Sequence, residues 1–181
     1  MNVFGNFLGY QLVWLIAVSG AARGLVWPAI AGVAAFAAWQ LTSSRTRRSD
    51  LKLLAVALVL GVLLDGALSR SGLLRYASPD VALPPGGAPL WILALWGAFA
   101  LTINHSLAWL RHRWLAATLL GAAGGPLAYL AAARLSGAVT FSPPLIAGVV
   151  ALAVSWGVAL FLLAWGAARW SVQSVAEDAR A

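Results

Sequence analysis

The stretch Arg45–Leu68, RTRRSDLKLLAVALVLGVLLDGAL, decides the fold class. From Leu51 to Leu68 it is almost wholly apolar and approaches the roughly 20 residues that an α-helix needs to cross the hydrocarbon core of a bilayer. Arg45, Arg47, Arg48 and Lys52 crowd its start, and a lone acid, Asp65, stands near its end. A basic cluster against one end of an apolar run is the mark of a transmembrane helix with that end in the cytoplasm.

Five more runs of this kind flank it: Val3–Ala22, Gly24–Leu41, Leu90–Leu110, Trp114–Ala133 and Leu145–Ala168. The expectation is an all-α polytopic membrane protein of six transmembrane helices. Residues 1–170 form one transmembrane domain, followed by a short polar cytoplasmic tail at 171–181. Composition agrees, because 62% of the 181 residues are hydrophobic and only 9% charged, against about 25% charged in soluble domains. A soluble fold of this size still leaves roughly 30% of its chain surface wet, which so few polar residues cannot cover. Nothing basic precedes Arg23, so the first run reads as a retained helix rather than a signal peptide.

With both termini inside, the cytoplasmic side receives Arg45, Arg47, Arg48, Lys52, Arg111, Arg113, Arg169 and Arg180 of the 12 basic residues. Arg23, Arg70, Arg75 and Arg134 face outward, and that imbalance supports the orientation. The net charge of +7 does not indicate a nucleic-acid partner, because the bases stand at the ends of apolar runs rather than on one solvated face. The absence of cysteine removes disulfides, thiolate metal sites and cysteine nucleophiles. The segment Arg75–Pro89, rich in Pro and Gly, is expected to be a bent loop without regular structure, and Ser136–Pro144 a second break.

Trp91, Trp109, Trp114, Trp165 and Trp170 fall near helix ends and read as interfacial anchors. Gly5 with Gly9, and Gly121 with Gly125, have the spacing that lets helices approach closely. Gly124, Gly125 and Pro126 fall in mid-helix, where proline removes a backbone hydrogen bond; a packing kink is the plain expectation and a functional break the bolder one.

Polar residues kept inside membrane spans are costly and mark the informative places. Asp65 lies about 21 Å from the inner end of its helix, whereas Asn104 and His105 lie about 8 Å from the cytoplasmic edge, so the two sets do not meet. Arg70, Arg23 or Arg134 could neutralise Asp65; the alternative is a pathway role for the Asp65 and Arg70 pair. Asn2, Asn6, Tyr10 and Gln11 on the first helix reach the same leaflet as Asn104 and His105. Asn2, Asn6 and Tyr10 share one helix face, as do Thr102, His105 and Trp109 in the fourth run. The functional reading is a ligand pocket of Asn6, Gln11, Asn104 and His105; the plainer one is hydrogen bonding from helix to helix. His105 and His112 are about 10 Å apart along a helix, too far to share a metal ion. No cofactor, metal or catalytic motif is expected.

The N-terminal run with Asn6, Gln11 and Trp14, the acid at Asp65 and the stretches PLWILALWGAFALTINHSLAWL and GGPLAYLAA resemble the bacterial inner-membrane family called domain of unknown function 2878. The resemblance covers nearly the whole chain and is most specific at Asn104, His105 and Ser106. It implies a multi-pass inner-membrane protein and, through relatives encoded near fatty-acid-modifying enzymes of the cyclopropane synthase type, a link to membrane-lipid metabolism. The leading expectation is an accessory protein that binds lipid, or partners a lipid-modifying enzyme or itself. The alternatives are a small-molecule or lipid transporter using Asp65 and the Gly124–Pro126 break, and a metal-independent enzyme with His105 as acid or base.

Overall fold

The computed structural model describes residues 3–78 and 81–178, with 172–178 as backbone only. Six α-helices follow one another: α1 Val3–Ala21, α2 Trp27–Ser43, α3 Arg47–Arg70, α4 Leu90–Ile103, α5 Trp114–Ser136 and α6 Leu145–Asp178. Local chemistry sets several of these limits. Pro28 occupies the first turn of α2, where its missing N–H costs nothing. Gly137 ends α5 in the left-handed conformation at φ 73°, its N–H bonded to the Ala133 carbonyl. Every connection reverses direction, so the starts of α1, α3 and α5 share one end of the bundle, here the near end. The α1–α2, α3–α4 and α5–α6 connections share the far end.

Four helices, α1, α3, α5 and α6, are long and apolar enough to cross a membrane. Of the two shorter ones, α4 differs from expectation for a physical reason. α4 has 14 residues, 11 of them buried, and it packs against α1, α2, α3 and α6. It is the core of the bundle, so its polar ends are satisfied by protein and it need not match a bilayer's thickness. The expected run to Leu110 stops at Ile103, and after a turn a single 3-10 turn covers Ala108–Leu110. Consequently Thr102, His105 and Trp109 do not share a helix face. α6 instead continues to Asp178, beyond the end expected near Ala168.

The far-end connections carry more order than expected. β1 Leu74–Tyr76 pairs antiparallel with β4 Val139–Phe141, and β2 Ala82–Leu83 pairs with β3 Ala88–Pro89. Trp91 is buried at 1% exposure and gives its indole N–H to the Ala77 carbonyl; it is a core residue and not an anchor. Trp109 and Trp165 are exposed.

Glycines admit the two central indoles. A Cβ on Gly61 of α3 would stand 2.5 Å from Trp96 Cδ1, and one on Gly121 or Gly125 of α5 would collide with Trp156. Trp96 and Trp156 then stack at 4.4 Å and 13°, joining α3, α4, α5 and α6 through one aromatic centre. α5 stays helical through Gly124, Gly125 and Pro126; the helix break that a pathway there was expected to use is absent.

Candidate functional site

Of the residues singled out from the sequence, Asn6, Asn104 and His105 meet at the near end, in a hydrogen-bonded knot. Asn6 donates to Gln40 Oε1 at 2.8 Å and to the Leu101 carbonyl at 3.1 Å. Its own oxygen accepts the Ser106 hydroxyl at 2.6 Å and the Ser106 backbone N–H at 3.2 Å. Here lies the reason α4 ends early: the Asn6 side chain takes the Leu101 carbonyl and the Ser106 N–H, backbone groups that a continuing helix would have paired. The Thr102 carbonyl accepts both His105 N–H and Leu107 N–H, which closes the turn.

The centre of the knot is a residue the sequence reading passed over, Asp50 in the first turn of α3. It is fully buried. Its carboxylate accepts Asn104 Nδ2 at 2.7 Å, Thr46 Oγ1 at 3.4 Å and the Ser44 hydroxyl. His105 Nε2 lies 3.1 Å away, an ion pair when the imidazole carries its second proton. Asn104 also donates to Ser49 Oγ at 2.9 Å, and Arg111 donates to the Asn104 carbonyl at 2.8 Å. Burial lowers the pKa of the Arg111 guanidinium, against the pull of Asp50. Gln40 Nε2, Asn104 Oδ1 and Arg111 Nε are buried without a partner among the described residues. Asp50 was hidden in the sequence because it stands amid Arg47, Arg48 and Lys52, where an acid reads as part of a solvated loop.

Asp65 lies apart from this knot, as the depth argument required. It is 1% exposed and accepts Tyr76 Oη at 2.7 Å and Tyr129 Oη at 2.5 Å on one oxygen. Trp96 Nε1 donates to the other at 2.7 Å. Arg70, expected as its ion-pair partner, turns instead to the Pro85 carbonyl at 3.4 Å. Three neutral donors, from β1, α4 and α5, do the work assigned to a cation. Neither tyrosine nor Trp96 was legible as a partner, since they lie 11, 64 and 31 positions away.

Gln11 has a different fate. It is exposed, has no hydrogen bond among the described residues, and lines a cleft of about 310 Å³ between α1 and α5. One wall is Phe7, Tyr10, Gln11, Trp14 and Val18 of α1; the other is Leu120, Gly124, Ala128 and Ala132 of α5. Trp91, Leu95, Trp96 and Phe99 of α4, with Trp156 and Leu160 of α6, form the floor. The cleft exists because α1 and α5 barely touch and because α5 presents small side chains opposite the large ones of α1. At 1.5 Å per residue it runs about 16 Å along α1 and about 18 Å along α5. Tyr129 and Trp96, two of the three donors to Asp65, belong to its lining. Asn2, grouped with Asn6 and Tyr10 from the sequence, lies outside the described residues; Tyr10 packs edge-on against Phe99 at 5.7 Å.

Among the described residues no three His, Asp or Glu side chains gather as metal ligands. The family described as Protein of unknown function (DUF2878) matches residues 3–162. No curated protein and no solved structure matches the chain.

Proposed function

The chain belongs to the DUF2878 family, and from that premise we propose that it is a membrane-embedded binding protein whose α1–α5 cleft holds one hydrocarbon chain of a lipid. The observation that carries this reading is the cleft itself. The cleft, about 310 Å³, opens on the outer surface and is lined almost wholly by apolar side chains, so water filling it would find few hydrogen-bond partners. Something apolar must fill it, and its rims say what. Phe7, Leu8, Leu12 and Leu15 on α1, and Leu115, Leu119 and Leu127 on α5, expose their side chains on the outer surface beside it. Such a surface asks for lipid as its solvent.

Hydrocarbon already surrounded by hydrocarbon gains little from burial, so affinity must come from fit and from polar contacts. Gln11 offers the latter as an amide with no protein partner, and Ser106 and Thr102 stand at the same end of the cleft. The polar head of the ligand is therefore assigned to the near end. Arg45, Arg47, Arg48, Lys52, Arg111 and Arg113 cluster there, which supports placing that end in the cytoplasm. The resemblance drawn from the sequence supports a bacterial inner membrane, and a lipid-modifying enzyme is the partner this reading calls for.

The test is native mass spectrometry of protein released gently from its own membrane. A lipid retained at one per chain, and lost from Gly124→Leu, is expected, because a Cβ at Gly124 meets nothing within 4 Å and added bulk enters the cleft. Wild-type protein carrying only exchangeable bulk lipid would sink the proposal.

A further inference from the structure

The cleft is open in character at one end and shut at the other. At the near end its lining includes Gln11, Thr102 and Ser106; at the far end it reaches Trp91, Ala132 and Val139. Two hydrogen bonds lock that far end: Trp91 Nε1 to the Ala77 carbonyl at 2.9 Å, and Ser78 Oγ to the Ala21 carbonyl at 3.0 Å. The β1–β4 pair closes over it, with Leu74, Tyr76, Ala138 and Val139 all buried. A chain lying head-first at Gln11 has its tail directed at this stop.

The α5 wall is graduated. Leu120, Gly124, Ala128 and Ala132 recur at every fourth position, so they stand on one face about 6 Å apart. All four line the cleft, whereas their neighbours Gly121 and Gly125 are consumed by Trp156. Beyond Leu120 this face carries nothing larger than a methyl group, while Tyr129 borders the cleft from the adjoining face of α5.

We propose that this face of α5 is a chain-length ruler: Gly124, Ala128 and Ala132 mark successive depths, and the smallness of each determines how long a straight hydrocarbon chain the cleft admits. The inference rests on the lipid-chain reading above and adds its specificity. Bulk placed at one mark excludes only the methylenes that would pass it. Forcing them past costs about as much as overpacking a core, which converts to roughly five-fold to a hundred-fold in affinity.

The experiment uses the full chain, stripped of lipid in detergent and offered lysophosphatidylglycerols with hexanoyl, decanoyl or tetradecanoyl chains. Occupancy is read by native mass spectrometry. Free fatty acids and diacyl phosphatidylglycerol of the same chain lengths show which source of the chain is preferred. Ala128→Leu is expected to lose tetradecanoyl binding by about tenfold while keeping hexanoyl binding within about twofold. Gly124→Leu, one mark nearer the head, should lose decanoyl binding as well. Retained hexanoyl binding also certifies that each variant is folded, and Ala128→Val gives a milder mark should leucine there prevent folding. Equal weakening of every chain length, or no change in any, overturns the ruler while leaving the cleft reading intact. Wild-type protein that takes up none of the chains overturns both.

Discussion

α3 carries two buried carboxylates whose surroundings have opposite characters. Asp50 sits where the α2–α3 and α4–α5 connections meet and is held by an imidazole, an amide and hydroxyls from short polar segments. Asp65 sits among aromatic rings and is held by two phenols and an indole. Both arrangements meet the requirement that a buried acid be hydrogen-bonded, but they spend it differently. The Asp50 knot fixes where α3 begins and α4 ends, and none of its members lines the cleft except Ser106 through its bond to Asn6. The Asp65 group fixes a wall of the cleft, because Trp96 and Tyr129 face the cavity on one side and the carboxylate on the other. A polar cluster turned inward on its own carboxylate is architecture; the group that borders an unfilled space is the one that can shape what enters it.

Substitution at Asp50 should have the largest effect on this contrast. Asp50→Ala strips His105, Asn104 and Ser44 of a buried acceptor at once, and a loss of about 3 to 5 kcal/mol is expected, read as the shift in denaturant unfolding in micelles. Stability within 1 kcal/mol of wild type would show that the knot is not what holds the near end. Asp65→Asn is smaller in consequence, since the amide keeps the shape and one acceptor oxygen. It should cost about 1 to 3 kcal/mol, and the tryptophan fluorescence should change as Trp96 loses its partner.

A finer cut separates the two phenols on Asp65. Tyr76→Phe and Tyr129→Phe each remove one donor and should each cost about 1 kcal/mol. Only Tyr129 lines the cleft, so only Tyr129→Phe should alter lipid retention; equal effects would merge the two roles. The smallest expected effect on stability belongs to Gln11→Ala, within about 0.5 kcal/mol, yet retention of the bound lipid should fall severalfold. Should Gln11→Ala destabilise the protein as Asp50→Ala is expected to, Gln11 belongs with the knot after all.

Amino-acid order alone determined that the chain builds six mostly apolar helices, because length and hydropathy of a segment are local quantities. It likewise determined that Asp65 and His105 keep apart, since depth along a helix follows from residue count. Tertiary structure alone decided which polar residues are spoken for. Asn6 and Gln11 look alike in sequence, five positions apart on one helix; the first points at α2 and α4 and is consumed, while the second points into the cleft. Partner choice for Asp65 was equally hidden, as tyrosine and indole donors came from three separate elements, and an arginine nearby in sequence was taken by a loop carbonyl. Even the cleft depends on a relation between helices, the mismatch of large side chains on α1 with small ones on α5 where the two fail to pack. Segment identity is written in the segment, but vacancy and pairing belong to surfaces that meet only after the chain has folded.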